Sequence, residues 1–150
     1  MHEFEKLGVT NLDEKQQRLN DSQIFIDIEM AKITVQEFRN TIREILDIPI
    51  SDDEIDRIWN TVILDYPKEN IDLLERLKPQ FKTYILSNTN AIHCEYYTQK
   101  LKDNFGYDSL GALTVKDYYS QDLKMRKPDK EIFEEVLTLE GLVPDETLFI

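Results

Sequence analysis

An α/β fold, part of a Rossmann-like parallel sheet in three α/β/α layers with an N-terminal helical cap, is what this sequence predicts. Three observations carry that reading. Residues 1–66 show only helical periodicity. From Asp65-Tyr66-Pro67 onward, short β-prone runs alternate with helical segments, the pattern of right-handed crossovers and parallel strands. And the apolar run Tyr84-Ile85-Leu86 stops abruptly at Ser87-Asn88-Thr89-Asn90, as a strand does at the carboxyl edge of a parallel sheet, where ligands bind.

The N-terminal elements follow in order. Glu3 to Leu7 is a short amphipathic piece closed by Gly8, and Leu12 to Leu19 is a second helix with Asn11 as its N-cap. Ile24, Phe25, Ile28 and Ile33 mark a third, ending before Thr34. Thr34-Val35-Gln36-Glu37 and Ser51-Asp52-Asp53-Glu54 fit the capping-box pattern, in which side chains satisfy the orphan amides of a helix start. Phe38, Ile42, Ile45 and Leu46, then Ile55, Ile58, Trp59 and Val62, keep helical spacing behind those caps. Residues 1–66 therefore form a four-helix-type lobe and residues 67–150 a partial α/β core.

In that core the expected elements are a helix over 70–77, a strand over 83–86 and a helix over 90–101. A strand over 115–119, a helix over 130–139 and a strand over 147–150 follow, with Pro79, Gly106, Gly111, Gly141 and Pro144 at turns. The core opens on a helix and closes on a strand, and no strand precedes the lobe. The sequence reads as cut at both ends.

Composition narrows the partners. A formal net charge of −12 argues against nucleic acid, which requires a basic footprint, and against an anionic membrane surface. No apolar run approaches the roughly 20 residues of a spanning helix, and the opening residues lack a secretory leader pattern. Cys94 is the single cysteine, so no internal disulfide forms and a cytoplasmic location fits.

Two stretches carry chemistry. Ser87, at a strand–helix junction, places a hydroxyl beside helix amides, an anion-binding arrangement. In Met125-Arg126-Lys127-Pro128-Asp129, Pro128 biases Lys127 to an extended conformation at a helix start, where dipole and ammonium both favour an anion. Ser87, Asn88 and Lys127 are the candidate phosphate-binding residues, and Ser87 and Lys127 the candidate catalytic ones. The bland alternatives are an N-cap serine and a solvated lysine.

These motifs, in this order, resemble the haloacid-dehalogenase-like (HAD) hydrolases. They resemble especially capped phosphatases, of the sugar-phosphate branch related to α-glucose-1-phosphate phosphatase. Leu86-Ser87-Asn88-Thr89-Asn90 with His93 is similar to the second family motif. Tyr118-Tyr119-Ser120, then Met125 to Asp129, then Ile132-Phe133, is similar to the third. Phe4 to Val9, and Ile33-Thr34 through Phe38, are similar to the cap. The resemblance implies a Mg²⁺-dependent hydrolysis of a small phosphorylated metabolite through an aspartyl-phosphate intermediate, with the serine and lysine holding phosphoryl oxygens. It also implies an aspartate nucleophile and metal ligands, none of which this sequence offers in a matching position. No metal-ligating residue is therefore assigned, and the stretch alone is expected to be inactive. A non-catalytic HAD-like fragment with a binding or regulatory role is the competing reading, and monomer and homodimer both remain open.

Several residues invite sharper readings than they support. His93 is a packed histidine or a cap-facing one; Cys94 has no base placed beside it. Arg126 reads as a surface or interface residue. Asp27-Ile28-Glu29 mimics an aspartate pair but falls inside a helical pattern, and Asp52, Asp53, Glu54 and Asp56 are the acids expected in a helix's first turn.

Overall fold

The computed structural model describes residues 2–150. Five helices build the N-terminal lobe: α1 (His2–Lys6), α2 (Leu12–Asp21), α3 (Ile24–Glu29), α4 (Val35–Leu46) and α5 (Asp52–Trp59), followed by a 3₁₀ turn at Asn60–Val62. The Thr34 capping box forms in full: Thr34 Oγ1 accepts from the Glu37 N–H at 3.1 Å, and the Thr34 N–H donates to Glu37 Oε2 at 2.8 Å. Ser51 supplies only half of one, accepting from the Glu54 N–H, because the Glu54 carboxylate turns to Arg57 at 2.8 Å. Asn11 does not cap α2; it sits in the left-handed region at φ 55° with its side chain uncommitted to the helix amides.

Phe38, Leu46 and Ile55 are buried at the centre of the lobe, with Leu19, Ile24, Ile28, Ile42, Ile45 and Ile58 packed around them. Trp59 stacks on Phe25 at 5.1 Å and tilts against Phe38 at 5.2 Å. The acids at the start of α5 are partners of arginines: Arg39 binds Asp56 and Asp52, and Arg43 binds Asp52 and the Ile50 carbonyl. That ion pairing holds the Asp52 carboxyl below its usual range.

Beyond the lobe come α6 (Lys68–Leu77), β1 (Tyr84–Ser87), α7 (Ala91–Phe105), β2 (Lys116–Tyr119), α8 (Ser120–Leu123) and α9 (Lys130–Glu140). The strands β1 and β2 are parallel neighbours, with Tyr84 opposite Lys116 and Ser87 opposite Tyr119. Side chains alternate across a strand, so successive residues of β2 face opposite layers. Tyr118 is buried and its hydroxyl reaches Glu140 at the end of α9, whereas the Tyr119 ring lies 6.3 Å from Tyr97 of α7. Helices thus lie on both faces of the pair. A second core of Ile71, Leu101 and Leu113, with Tyr66, Leu74 and Phe105 against it, joins α6 to α7. Gly106 closes α7 in the left-handed region at φ 78°, where a side chain would be strained.

The strand expected over 147–150 is absent. Those residues follow a 3₁₀ turn at Pro144–Glu146 and run without a ladder partner among the described residues, Leu148 and Ile150 open to solvent. Extended residues count as a strand only when a neighbour accepts their hydrogen bonds, and sequence pattern does not supply one.

Candidate functional site

The carboxyl end of β1 is where the two chemistry-bearing stretches meet. Lys127 Nζ donates to the Leu86 carbonyl at 2.7 Å, bringing its ammonium to the residue that precedes Ser87. Asn88 locks the lysine's backbone in place: Asn88 Nδ2 donates to the Lys127 carbonyl and the Lys127 N–H donates to Asn88 Oδ1, both at 2.8 Å. The Asn88 carboxamide is therefore spent on aligning Lys127, across 39 positions of sequence. The Ser87 hydroxyl makes only a long contact, 3.4 Å, to the Asn88 carbonyl, which leaves it able to turn toward a ligand. The Lys127–Pro128 peptide is cis, and α9 starts at Lys130 rather than at the proline.

Behind this edge the 15-residue α7 begins, capped by Asn90, whose Oδ1 accepts from the His93 N–H at 3.2 Å. A hydroxyl, an ammonium and a helix start on one sheet edge make an arrangement suited to an oxyanion. The chain's overall charge is negative, but the loop between α8 and α9 holds Lys124, Arg126 and Lys127 against one acid, Asp129, so the local charge opposes the global one.

Ser120 ties three segments together and is fully buried. Its Oγ accepts from the Thr89 N–H at 3.0 Å and lies 2.7 Å from the Glu29 carbonyl and 3.1 Å from the Thr89 carbonyl. One hydroxyl hydrogen serves one carbonyl at a time, and the shorter contact is to Glu29, an orphan acceptor at the end of α3. Arg126, the residue before Lys127, reaches the same place: its Nε and Nη2 both donate to Glu29 Oε2, at 3.2 and 3.1 Å. Arg126 is thus an interface residue, and Asp27-Ile28-Glu29 belongs to a helix, its acids paired with Lys32 and Arg126. Sequence reading placed Ser120 in a motif without giving it a task; its one signal was a small hydroxyl residue ending an aromatic run, as Ser87 ends β1.

His93 is buried with its ring edge-on to Trp59 at 4.9 Å, and Nε2 has no hydrogen-bond partner among the described residues. Burial pushes its pKa below the ordinary value of 6.5, favouring the neutral ring. Cys94 is half-buried against the Tyr97 hydroxyl at 3.0 Å, and burial raises its thiol pKa. It is a packed thiol rather than an activated one.

No family model matches the chain. It is 26% identical over 147 residues to D-ribitol-5-phosphate phosphatase of Bacteroides thetaiotaomicron, spanning 98% of this chain and 71% of that protein. A crystal structure of a HAD-family enzyme from Bacteroides thetaiotaomicron, a magnesium complex, superposes with a TM-score of 0.86 at 35% identity, covering 97% of this chain and 71% of the other. An aspartate-to-alanine variant of a HAD-family enzyme from that organism, solved with magnesium and inorganic phosphate, gives a TM-score of 0.81 at 36% identity, again over 97% and 71%. The chain belongs to the HAD family.

Magnesium is held by the related structures, and the residues here do not by themselves fit it. Among the described residues no group of three or more His, Cys, Asp or Glu side chains converges to hold a metal. The side chains at this end of β1 are instead an ammonium and a hydroxyl, groups that complement a phosphoryl group.

Proposed function

We propose that this chain is the cap and phosphate-binding part of a HAD phosphatase acting on a small phosphorylated metabolite, a sugar or polyol phosphate. The single observation that carries the reading is the meeting of Lys127 Nζ with the end of β1, one residue from Ser87. In this assignment Ser87 and Lys127 contact phosphoryl oxygens, and the lysine offsets the charge that develops on them during transfer. Asn88 acts by aligning Lys127 and through its own backbone N–H. Residues 1–66 form the cap and 67–150 the core. The D-ribitol-5-phosphate phosphatase relative supports a polyol or sugar phosphate as substrate. Mg²⁺ and an aspartate nucleophile complete the chemistry; neither has its ligands or position in the arrangement described above, so no step is assigned to them. The net charge of −12 disfavours nucleic-acid and anionic-membrane partners, the single Cys94 fits a cytoplasmic location, and a monomer or homodimer is the expected state. Among the described residues no helix is long and apolar enough to cross a membrane.

A second reading, phosphate binding without turnover, draws on the lack of a metal-ligand cluster among the described residues. Two measurements separate the readings. Inorganic phosphate titrated into the chain, followed by ³¹P NMR, should bind, and Lys127→Ala should weaken it by about tenfold or more, the loss of a charge-assisted bond. Unchanged binding in Lys127→Ala removes the site. Hydrolysis of p-nitrophenyl phosphate with Mg²⁺ then distinguishes a working phosphatase from a binder.

A further inference from the structure

We infer that Arg126 is a positioning residue, through which the helical lobe sets where Lys127 presents its ammonium. The inference rests on the phosphate role assigned to Lys127 above. Besides the bond of its ammonium to the Leu86 carbonyl and the Phe149 ring 5.3 Å from it, Lys127 is held through its backbone from two sides. Its peptide N–H and carbonyl are both bonded to Asn88, and its chain neighbour Arg126 is bonded by two nitrogens to one oxygen of Glu29. Glu29 is itself anchored, since its main-chain carbonyl takes the bond from the buried Ser120 hydroxyl. The lobe therefore grips the loop that carries Lys127 at the adjacent residue, and the grip is rooted in a buried hydrogen bond.

Stability is not the reason for this pair. The side chains of Arg126 and Glu29 are 27% and 25% exposed, and in such a part-buried pair the cost of desolvation offsets much of the Coulomb attraction. What the pair supplies is geometry. A shift of α3 relative to β1 moves Glu29, draws Arg126 with it and rotates the next residue away from the Leu86 carbonyl. Seating of the lobe and readiness of the phosphate site become one equilibrium, a coupling between two places in the molecule.

The sign of one substitution tests this. Glu29→Gln removes a negative charge near the phosphate site, so electrostatics alone would tighten phosphate binding. Positioning predicts the reverse, a weakening by about fivefold, the low end of site-to-site couplings. The probe is inorganic phosphate, titrated into the full chain and followed by ³¹P NMR. Arg126→Gln should weaken binding too, and the reversed pair Glu29→Arg with Arg126→Glu should recover most of the loss. Thr34→Ala, which loosens the lobe at a capping box bonded to Glu37 and not to the pair, should leave phosphate affinity unchanged. Phosphate binding in Glu29→Gln equal to or tighter than the unaltered chain overturns the inference, as does a reversed pair no tighter than the single variants. An equal weakening in Thr34→Ala overturns it as well, since lobe stability would then account for the effect. If Lys127→Ala binds phosphate normally, the site assignment falls and takes this inference with it. If Lys127→Ala is weak and Glu29→Gln is not, only the positioning role falls.

Discussion

The helical lobe and the α/β part solve the problem of folding in different ways. The lobe closes on itself: apolar residues from all five of its helices enter one core, centred on Phe38 and Leu46, which Ile92 joins from outside, while Leu7, Val62 and Leu64 stay exposed. The α/β part has a core of Ile71, Leu101 and Leu113 and leaves Phe81, Val115, Leu148 and Ile150 exposed. Every residue of β1 is only partly buried, in a strand class that normally has both faces covered. Yet all the candidate phosphate-contacting groups lie in this second part. The region that carries the candidate site is held less by apolar packing than by directed hydrogen bonds from Asn88, Lys127 and Ser120.

Phe38→Ala strikes the first mode of stabilisation hardest. Removing a fully buried phenyl ring that meets both Phe25 and Trp59 should cost roughly 3–5 kcal/mol, read as a drop in the urea midpoint. A cost near that of a surface change would mean the lobe repacks freely, and the contrast drawn between the two regions would fail.

Ser120→Ala strikes the second mode. It strips the Thr89 N–H and the Glu29 carbonyl of their buried partner, and unsatisfied buried groups cost about 1–3 kcal/mol each. Because its partners lie on both the lobe and the loop after β1, the same variant should also raise amide exchange at Thr89. Loss of stability without that change in exchange would mean Ser120 is an ordinary core residue and ties nothing together.

Local signals were legible in the sequence and long-range ones were not. The Thr34 cap, the abrupt end of β1 at Ser87 and the helices behind them are decided by neighbours a few residues away, and those elements form as read. Asn11 failed as a cap because the backbone there turns left-handed, which the identity of the residue permits but does not announce. The approach of Lys127 to the end of β1 was expected from spacing matched to a resemblance. The details that fix it, Asn88 on the Lys127 peptide and Ser120 on Glu29, join residues 39 and 91 positions apart, and no local pattern encodes such a pairing. The strand expected over 147–150 failed for the same reason: a ladder partner is a property of the sheet.

The smallest effect lies on the seam between the two regions, at His93. Its folded-state pKa is depressed by burial against Trp59, so the unfolded chain binds a proton more readily than the folded one. The contribution of this neutral ring is complete above its ordinary value of 6.5 and is lost as pH falls from there toward the lower folded value. Urea midpoints should therefore decline between about pH 7.5 and pH 5.5, before most carboxylates titrate. His93→Phe keeps an aromatic ring against Trp59 and removes the unpartnered Nε2, so its midpoint should be nearly flat over that window. A variant that declines as steeply as the parent would assign the acid sensitivity elsewhere, and the seam would carry no titrating group of consequence.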